Sequence, residues 1–354
     1  MLKSETGHAK RAIARLGLEV QRHYANETGA LSYFAGQLNV EQRVYVTDYL
    51  IDVMGTLDSS LGDMDTCLSQ YKQKRETEEF QRKSRIDPSS SQIYVSGPNK
   101  NEEDARFYRE MLEEQFFFKF GGVIDLLASV VVMVSGVGLD VRKCSYHELK
   151  PKGRMEEQAS KPANRLGLSL DEEVRESQLS VLRSLHSAIV ADGEADWFSW
   201  VLDRRNQMVH RAQGVGFILI RQGKVKGQVD FVDLPPKYPQ EGMISAYKKA
   251  RGVKGSFIPE DIQDVMHECH ARLCHILIAV IDACVSICAQ RGSRDLNIDQ
   301  QAAQWPLEDR ADYNFNGFNP NQSIVKGIEK ADTAVGTGSL IDRVQGASAI
   351  FTNE

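Results

Sequence analysis

The sequence lacks most of the features that would place it at once. It has no net positive charge. There are 43 Lys/Arg against 49 Asp/Glu, giving a formal charge of −6, so the whole molecule is not a general binder of nucleic acid or membrane. Its six cysteines (67, 144, 269, 274, 284 and 288) are scattered, and four of them fall in one helical pattern. That excludes a disulfide framework and points to a reducing compartment. The opening "MLKSETGHAKRAIARLGLEV" is charged and has no apolar signal core, so a cytoplasmic location is expected. The most apolar stretch, "VIDLLASVVVMVSGVGL" (123–139), is short and contains Asp125, so a buried core helix is expected and no membrane partner. There is no GxxxxGK[ST] loop, no GxGxxG after a strand, no G-x-S-x-G elbow and no repeat of fixed period.

What is present is helical periodicity. Residues 8–24 are amphipathic. Asn39 reads as an N-cap, and after it Val44, Leu50, Val53, Met54 and Leu57 recur near a period of 3.6. The charged end of that pattern, toward Lys83, has no apolar stripe and is expected to project into solvent or to fray. Residues 87–101 read as a loop with a short strand at "QIYV". Residues 102–138 read as one long helix, nearly all apolar in its second half and therefore central. Ser169 opens the next helix, Gly193 breaks it, and Asp196 or Asp203 caps the one after. The runs flanking "RQGKVKGQ" predict a hairpin. A basic short helix is expected in 243–255, and Pro259 marks the start of the last strong helix.

The fold class predicted is mostly α: a multi-helix bundle with one inserted β-hairpin at about 215–233 and an irregular C-terminal tail. Three regions follow. Residues 1–100 form an N-terminal helical region, either separate or part of the same bundle. Residues 101–290 form the main helical domain with the hairpin. Residues 291–354 are a polar, largely irregular tail.

Charge is unevenly spread. From Arg204 to Lys254 there are eleven Lys/Arg and three acids, an excess of eight that leaves −14 for the remainder. The basic span opens with "WVLDRRNQMVHRA" (200–212). At about 100° per residue, Phe198, Val201, Leu202, Met208, Val209 and Ala212 all fall within about 60° of Arg205. An arginine in the middle of an apolar face is either paired to an acid, such as Glu173 or Glu176 on the preceding helix, or borders a cleft that handles negative charge. Asn206 and His210 are four apart and share a neighbouring face. His210 lies about 140° from Arg205, so the two meet only through the reach of the arginine, a distorted turn, or two chains.

"RNQMVH" resembles the R-N-x-x-x-H signature of the HEPN superfamily, whose members are all-α bundles with the motif on a late helix. The resemblance covers the motif and the architecture of residues 100–290. It implies metal-independent RNA cleavage at a composite site in a homodimer or higher homo-oligomer, with no cofactor. Arg205 would then stabilise charge on the scissile phosphate, His210 would transfer a proton, and Asn206 would orient the phosphate or His210. Arg204 and Arg211 would hold flanking phosphates, and Lys224 and Lys226 on the hairpin would extend the track. The resemblance also implies a toxin or anti-phage effector with a regulatory protein partner. The tyrosine that some HEPN toxins carry two residues after the histidine is Ala212 here. The competing expectation is a non-catalytic helical scaffold. A separate candidate, His267, His270 and Cys274 in "HECHARLCH", has the i, i+3, i+7 spacing of a shared helical face and bears testing as a metal site.

Overall fold

The computed structural model describes residues 2–25, 30–32, 39–84, 98–139, 144–150, 166–169, 171–191, 196–210, 217–222 and 229–290. The expected strand at 92–95, the break at Gly193, the hairpin tip and the tail lie outside them. Among the described residues the elements are α1 (Leu2–Arg22), α2 (Val40–Lys83), α3 (Lys100–Ser135), α4 (Tyr146–Leu149), α5 (Glu172–Val190), α6 (Asp196–His210), β1 (Phe217–Gln222), β2 (Val229–Leu234), α7 (Met243–Ala250) and α8 (Ile262–Gln290). The fold is mostly α, with a two-stranded antiparallel hairpin.

Local chemistry starts and stops the helices. Asn39 closes a capping box with Gln42 at the head of α2. Asn99 caps α3, and Gly136, in the left-handed conformation, ends it. The buried Gln178 of α5 donates to the carbonyls of Ser135 (3.1 Å) and Gly136 (2.9 Å), satisfying the orphan end of α3. The cap of α5 is Asp171, and Ser169 sits further back as the acceptor for the Asp171 N–H. Asp196 lies in the first turn of α6 while Asp203 is mid-helix. Helix α8 opens at Ile262, where the Asp261 carboxylate accepts from the Gln263 N–H at 2.9 Å, so Pro259 precedes the helix instead of standing in its first turn.

Helices α2 and α3 form a long antiparallel pair, since Arg82 meets Glu102 near one end and Asp63 meets Lys119 further along. Helix α1 lies against α2 and along α8, and α5 covers α8 as well. One hydrophobic core runs through all of these: Leu16, Leu57 and Met64 join Phe116, Phe120, Leu127, Leu182, Val201, Leu277 and Val280. The N-terminal helices are therefore built into the same bundle. Helices α3 and α8 each contain an 18-residue window apolar enough to cross a bilayer, and 72% and 50% of those windows are buried within the bundle.

The charged end of α2 does not project into solvent. It stays helical to Lys83 and buries Tyr71 and Glu78 against α3 and the hairpin. Arg109 of α3 donates to Glu78 (2.8 Å) and Tyr71 (2.9 Å) and pairs with Asp233 of β2 (2.9 Å). Arg82 binds Glu78 and Glu102, and Arg75 binds Asp261 and the Phe231 carbonyl. Buried charges persist when each one is matched.

Candidate active site

Helix α6 lies antiparallel on α3. Its residues Trp197 and Phe198 touch Phe120, Trp200 touches Phe117, and Arg204 reaches Glu113. Among the described side chains of α6, Phe198, Val201 and Gln207 are buried. The buried arc therefore centres on the Val201–Arg204 side of the helix, and Arg205 sits at its edge. The expectation that Arg205 occupies the middle of the apolar face is displaced by about a quarter turn. The cause is that Trp197 and Trp200 pack inward as well as the aliphatic residues.

The two arginines have different fates. The Arg204 side chain is 13% exposed; it donates to Glu113 (2.6 Å) and to Gln207 (2.6 Å). It is committed to its own chain, which leaves little of it for a flanking phosphate. The Arg205 side chain is 31% exposed. It crosses α3 at Gly121, where an added Cβ would lie 3.0 Å from its Nε and 3.1 Å from its Cδ. Its Nη1 donates weakly to Asn206 at 3.4 Å, and its Nη2 stands 3.9 Å from Asp125. Its Nε, like that of Arg204, is buried with no hydrogen-bond partner among the described residues. The acid it faces is thus on α3, whereas Glu176 on α5 is taken by Arg183.

Direction matters here. Gly121 lies beside the arginine's own stem, against its Cγ, Cδ and Nε, and because α6 is antiparallel to α3, Asp125, one turn beyond Gly121, lies toward the start of α6. The Arg205 guanidinium, reaching from Gly121 toward Asp125, therefore leans toward the helix N-terminus, as helical side chains do. His210 is five residues the other way, about 7.5 Å along the axis. Its backbone closes α6, while its side chain, like Arg211, Lys224 and Lys226, lies outside the described residues. In one chain the guanidinium and the His210 backbone diverge.

A cleft of about 250 Å³ opens beside Arg204, between α3, α6 and β2, lined by Arg106, Arg109, Glu110, Glu113 and Asp233 among others. Burial raises the pKa of Glu110 and of Asp233, against the lowering effect of Arg109 beside each. Burial opposes the charge on Arg109, but Tyr71, Asp233 and Glu78 around it hold its pKa above the ordinary value. The sequence reading missed this cluster. Its local signals were the four-residue spacings of Arg75 with Glu79, of Glu78 with Arg82 and of Arg106 with Glu110.

The basic span also divides. Arg205 faces α3, while Lys237 and Lys249 lie near the opposite face of α6, where Gln240 donates to the Asp203 carbonyl (2.9 Å) and Trp200 to the Pro236 carbonyl (2.9 Å).

His267, His270 and Cys274 do not assemble as a metal site. Among the described residues no group of three or more His, Cys, Asp or Glu is arranged to hold an ion. His270 is fully buried between α8, α1 and α2, with Nε2 at 3.6 Å from Asp65. Burial pushes its pKa down, against the raising effect of Asp65. Cys284 and Cys288 are fully buried, as their apolar helix predicts.

Compared with protein-family models, with curated proteins and with solved structures, the chain gives no match, so its functional reading rests on its own residues.

Proposed function

We propose that this protein is a metal-independent endoribonuclease of the HEPN type, acting as a homodimer in which the α6 helices of two copies border one cleft. Arg205 carries the reading. It is a half-buried cation at a helix–helix rim whose nearest carboxylate stands at 3.9 Å, beyond hydrogen-bond length, and that carboxylate already accepts the Tyr146 N–H at 3.1 Å. A structural arginine at such a depth is normally held by close bonds, as Arg204 is.

The surface around Arg205 supports a second copy as the missing half. Phe107, Met111 and Phe118 form an exposed apolar line on α3, spaced i, i+4, i+11, and Gly122 further along the same face has open space around it. The divergence of Arg205 from His210 in one chain fits a site completed by a partner copy.

In this reading Arg205 stabilises the phosphate as charge develops, and Asn206 orients it. His210 takes the proton from the attacking 2′-hydroxyl or delivers one to the leaving oxygen. The bond from O2′ to phosphorus forms and the bond from phosphorus to O5′ breaks, leaving a 2′,3′-cyclic phosphate and a 5′-hydroxyl. The setting proposed with it is a cytoplasmic toxin or anti-phage effector under a regulatory partner.

One observation favours the alternative, a non-catalytic helical scaffold: Arg205 already faces Asp125, and Arg204 is bound to Glu113. Purified protein incubated with total RNA in EDTA separates the two. The ribonuclease reading expects cleavage in EDTA that falls by about 100-fold or more in Arg205→Ala and in His210→Ala. Intact RNA with wild type, or undiminished cleavage in the variants, supports the scaffold.

A further inference from the structure

A second groove, of about 830 Å³, lies on the face of α6 opposite Arg205, between that helix, the segment around Tyr238 and the first turns of α8. Its walls present Trp197, Trp200 and Tyr238, with Pro239, Ile258 and Val265 supplying apolar surface. Its rim carries six carboxylates and three cations. Four of those carboxylates, Asp196, Asp203, Glu260 and Asp264, are exposed on the surface. They make no side-chain hydrogen bond or ion pair among the described residues, although ion pairs such as Lys249–Glu241 and Arg272–Glu268 form on the same rim, so unmatched acids gather where the aromatic faces are.

The chain's own cations show what these faces accept. The Arg272 guanidinium stacks 5.0 Å from the Trp197 ring while bonded to Glu268 at 2.9 Å. The Lys249 ammonium sits 4.7 Å over the Tyr238 ring and 3.4 Å from Glu241. Both pair an aromatic face with a carboxylate around one positive charge, the arrangement that binds ammonium and guanidinium groups. Asp203 and Asp264 line the same groove beside Trp200, whose ring also packs on Phe117 and donates to the Pro236 carbonyl, and neither carboxylate meets a cation among the described residues.

We propose that this groove is a binding site for a linear alkyl polyamine. Three properties select that class. The volume is that of a small-molecule site. The charge balance of the lining calls for more than one added cation. The alternation of apolar wall and unpaired carboxylate matches ammonium groups separated by methylene runs. A peptide bound by strand addition is disfavoured because this lining is made of helix and turn side chains and offers no free strand edge among the described residues. The site is independent of RNA cleavage and stands or falls by binding alone.

The probe is spermidine, titrated into the full chain at about 150 mM ionic strength, where long-range attraction is screened. Calorimetry and tryptophan fluorescence are the readouts. Saturable one-to-one binding is expected. The double variant Asp203→Asn/Asp264→Asn, at two exposed positions, loses about tenfold or more in affinity. The variant Asp52→Asn/Asp104→Asn makes the same charge change elsewhere on the surface and leaves affinity unchanged. Absence of saturation with wild type overturns the proposal, as does an equal loss in both double variants. Binding of an oligolysine peptide that spermidine does not displace also overturns it.

Discussion

The two halves of α3 are held by opposite means. The first half, from Glu102 to Glu113, is fixed by charges: Arg82, Glu78, Asp233 and Arg204 each meet a residue on it. The second half, from Phe116 to Val134, is fixed by apolar contact, with Phe116, Phe120, Leu127 and Val131 fully buried. Helix α6 straddles the junction. Its Arg204 belongs to the charged half through Glu113, and its Arg205 reaches over Gly121 into the apolar half, where only Asp125 faces it. Adjacent arginines thus differ in commitment because they meet different halves of one helix. A cation among matched charges is held closely, as Arg204 is, whereas one that reaches an apolar rim is held loosely, as Arg205 is.

Breaking the charged half should have the largest effect. Glu78→Ala removes the carboxylate shared by the buried Arg109 and Arg82, which costs about 4 kcal/mol. Leu127→Ala in the apolar half costs about 3 kcal/mol through lost burial and a cavity. Urea unfolding measures both. Adding salt should alter the stability of neither variant much, since both sites are buried. A Glu78→Ala cost under about 1 kcal/mol contradicts the network as described.

The adjacent arginines sharpen the comparison. Arg204→Ala strips the partner from the buried Glu113 and costs about 3 kcal/mol, whereas Arg205→Ala costs less than about 1 kcal/mol. Thermal or urea unfolding of the two proteins side by side checks the difference, and equal losses would erase the distinction between them.

These contrasts also mark what could be read from the chain in advance. The Asn39 cap and the hairpin flanking residues 221–228 were legible because their determinants are local. The burial of the α2 end was not. Glu78 looks like a solvent charge until Arg109, 31 residues away, folds onto it, and Arg75 finds Asp261 across 186 residues. Arg205 was legible as an unusual residue on a packed helix. Its direction was not, because that depends on α6 lying antiparallel to α3, a tertiary choice that helical periodicity does not encode. Arg204 was misjudged as a free phosphate contact for the same reason: Glu113, 91 residues distant, captures it.

The smallest effect concerns the other face of the bundle. His270 has its pKa lowered from the ordinary 6.5 by burial, with Asp65 and Glu5 opposing and His267 assisting. The unfolded chain therefore takes up a proton that the folded chain refuses. The stability this represents is full above 6.5 and is lost as pH falls through 6.5 toward the lower folded value. Unfolding midpoints at about pH 7.5 and about pH 5.5 should fall further in wild type than in His270→Leu. An identical fall in both would remove His270 from the account.

The most direct test of the shared site mixes two inactive variants. Arg205→Ala and His210→Ala proteins are each assayed on RNA in EDTA, then combined one to one and allowed to exchange subunits. If one copy supplies the arginine and the other the histidine, each variant alone is inactive. Half of the mixed dimers are then heterodimers with one intact site, so the mixture recovers about a quarter of the wild-type rate. A mixture as inactive as its components, or activity surviving in either variant alone, would contradict the shared site.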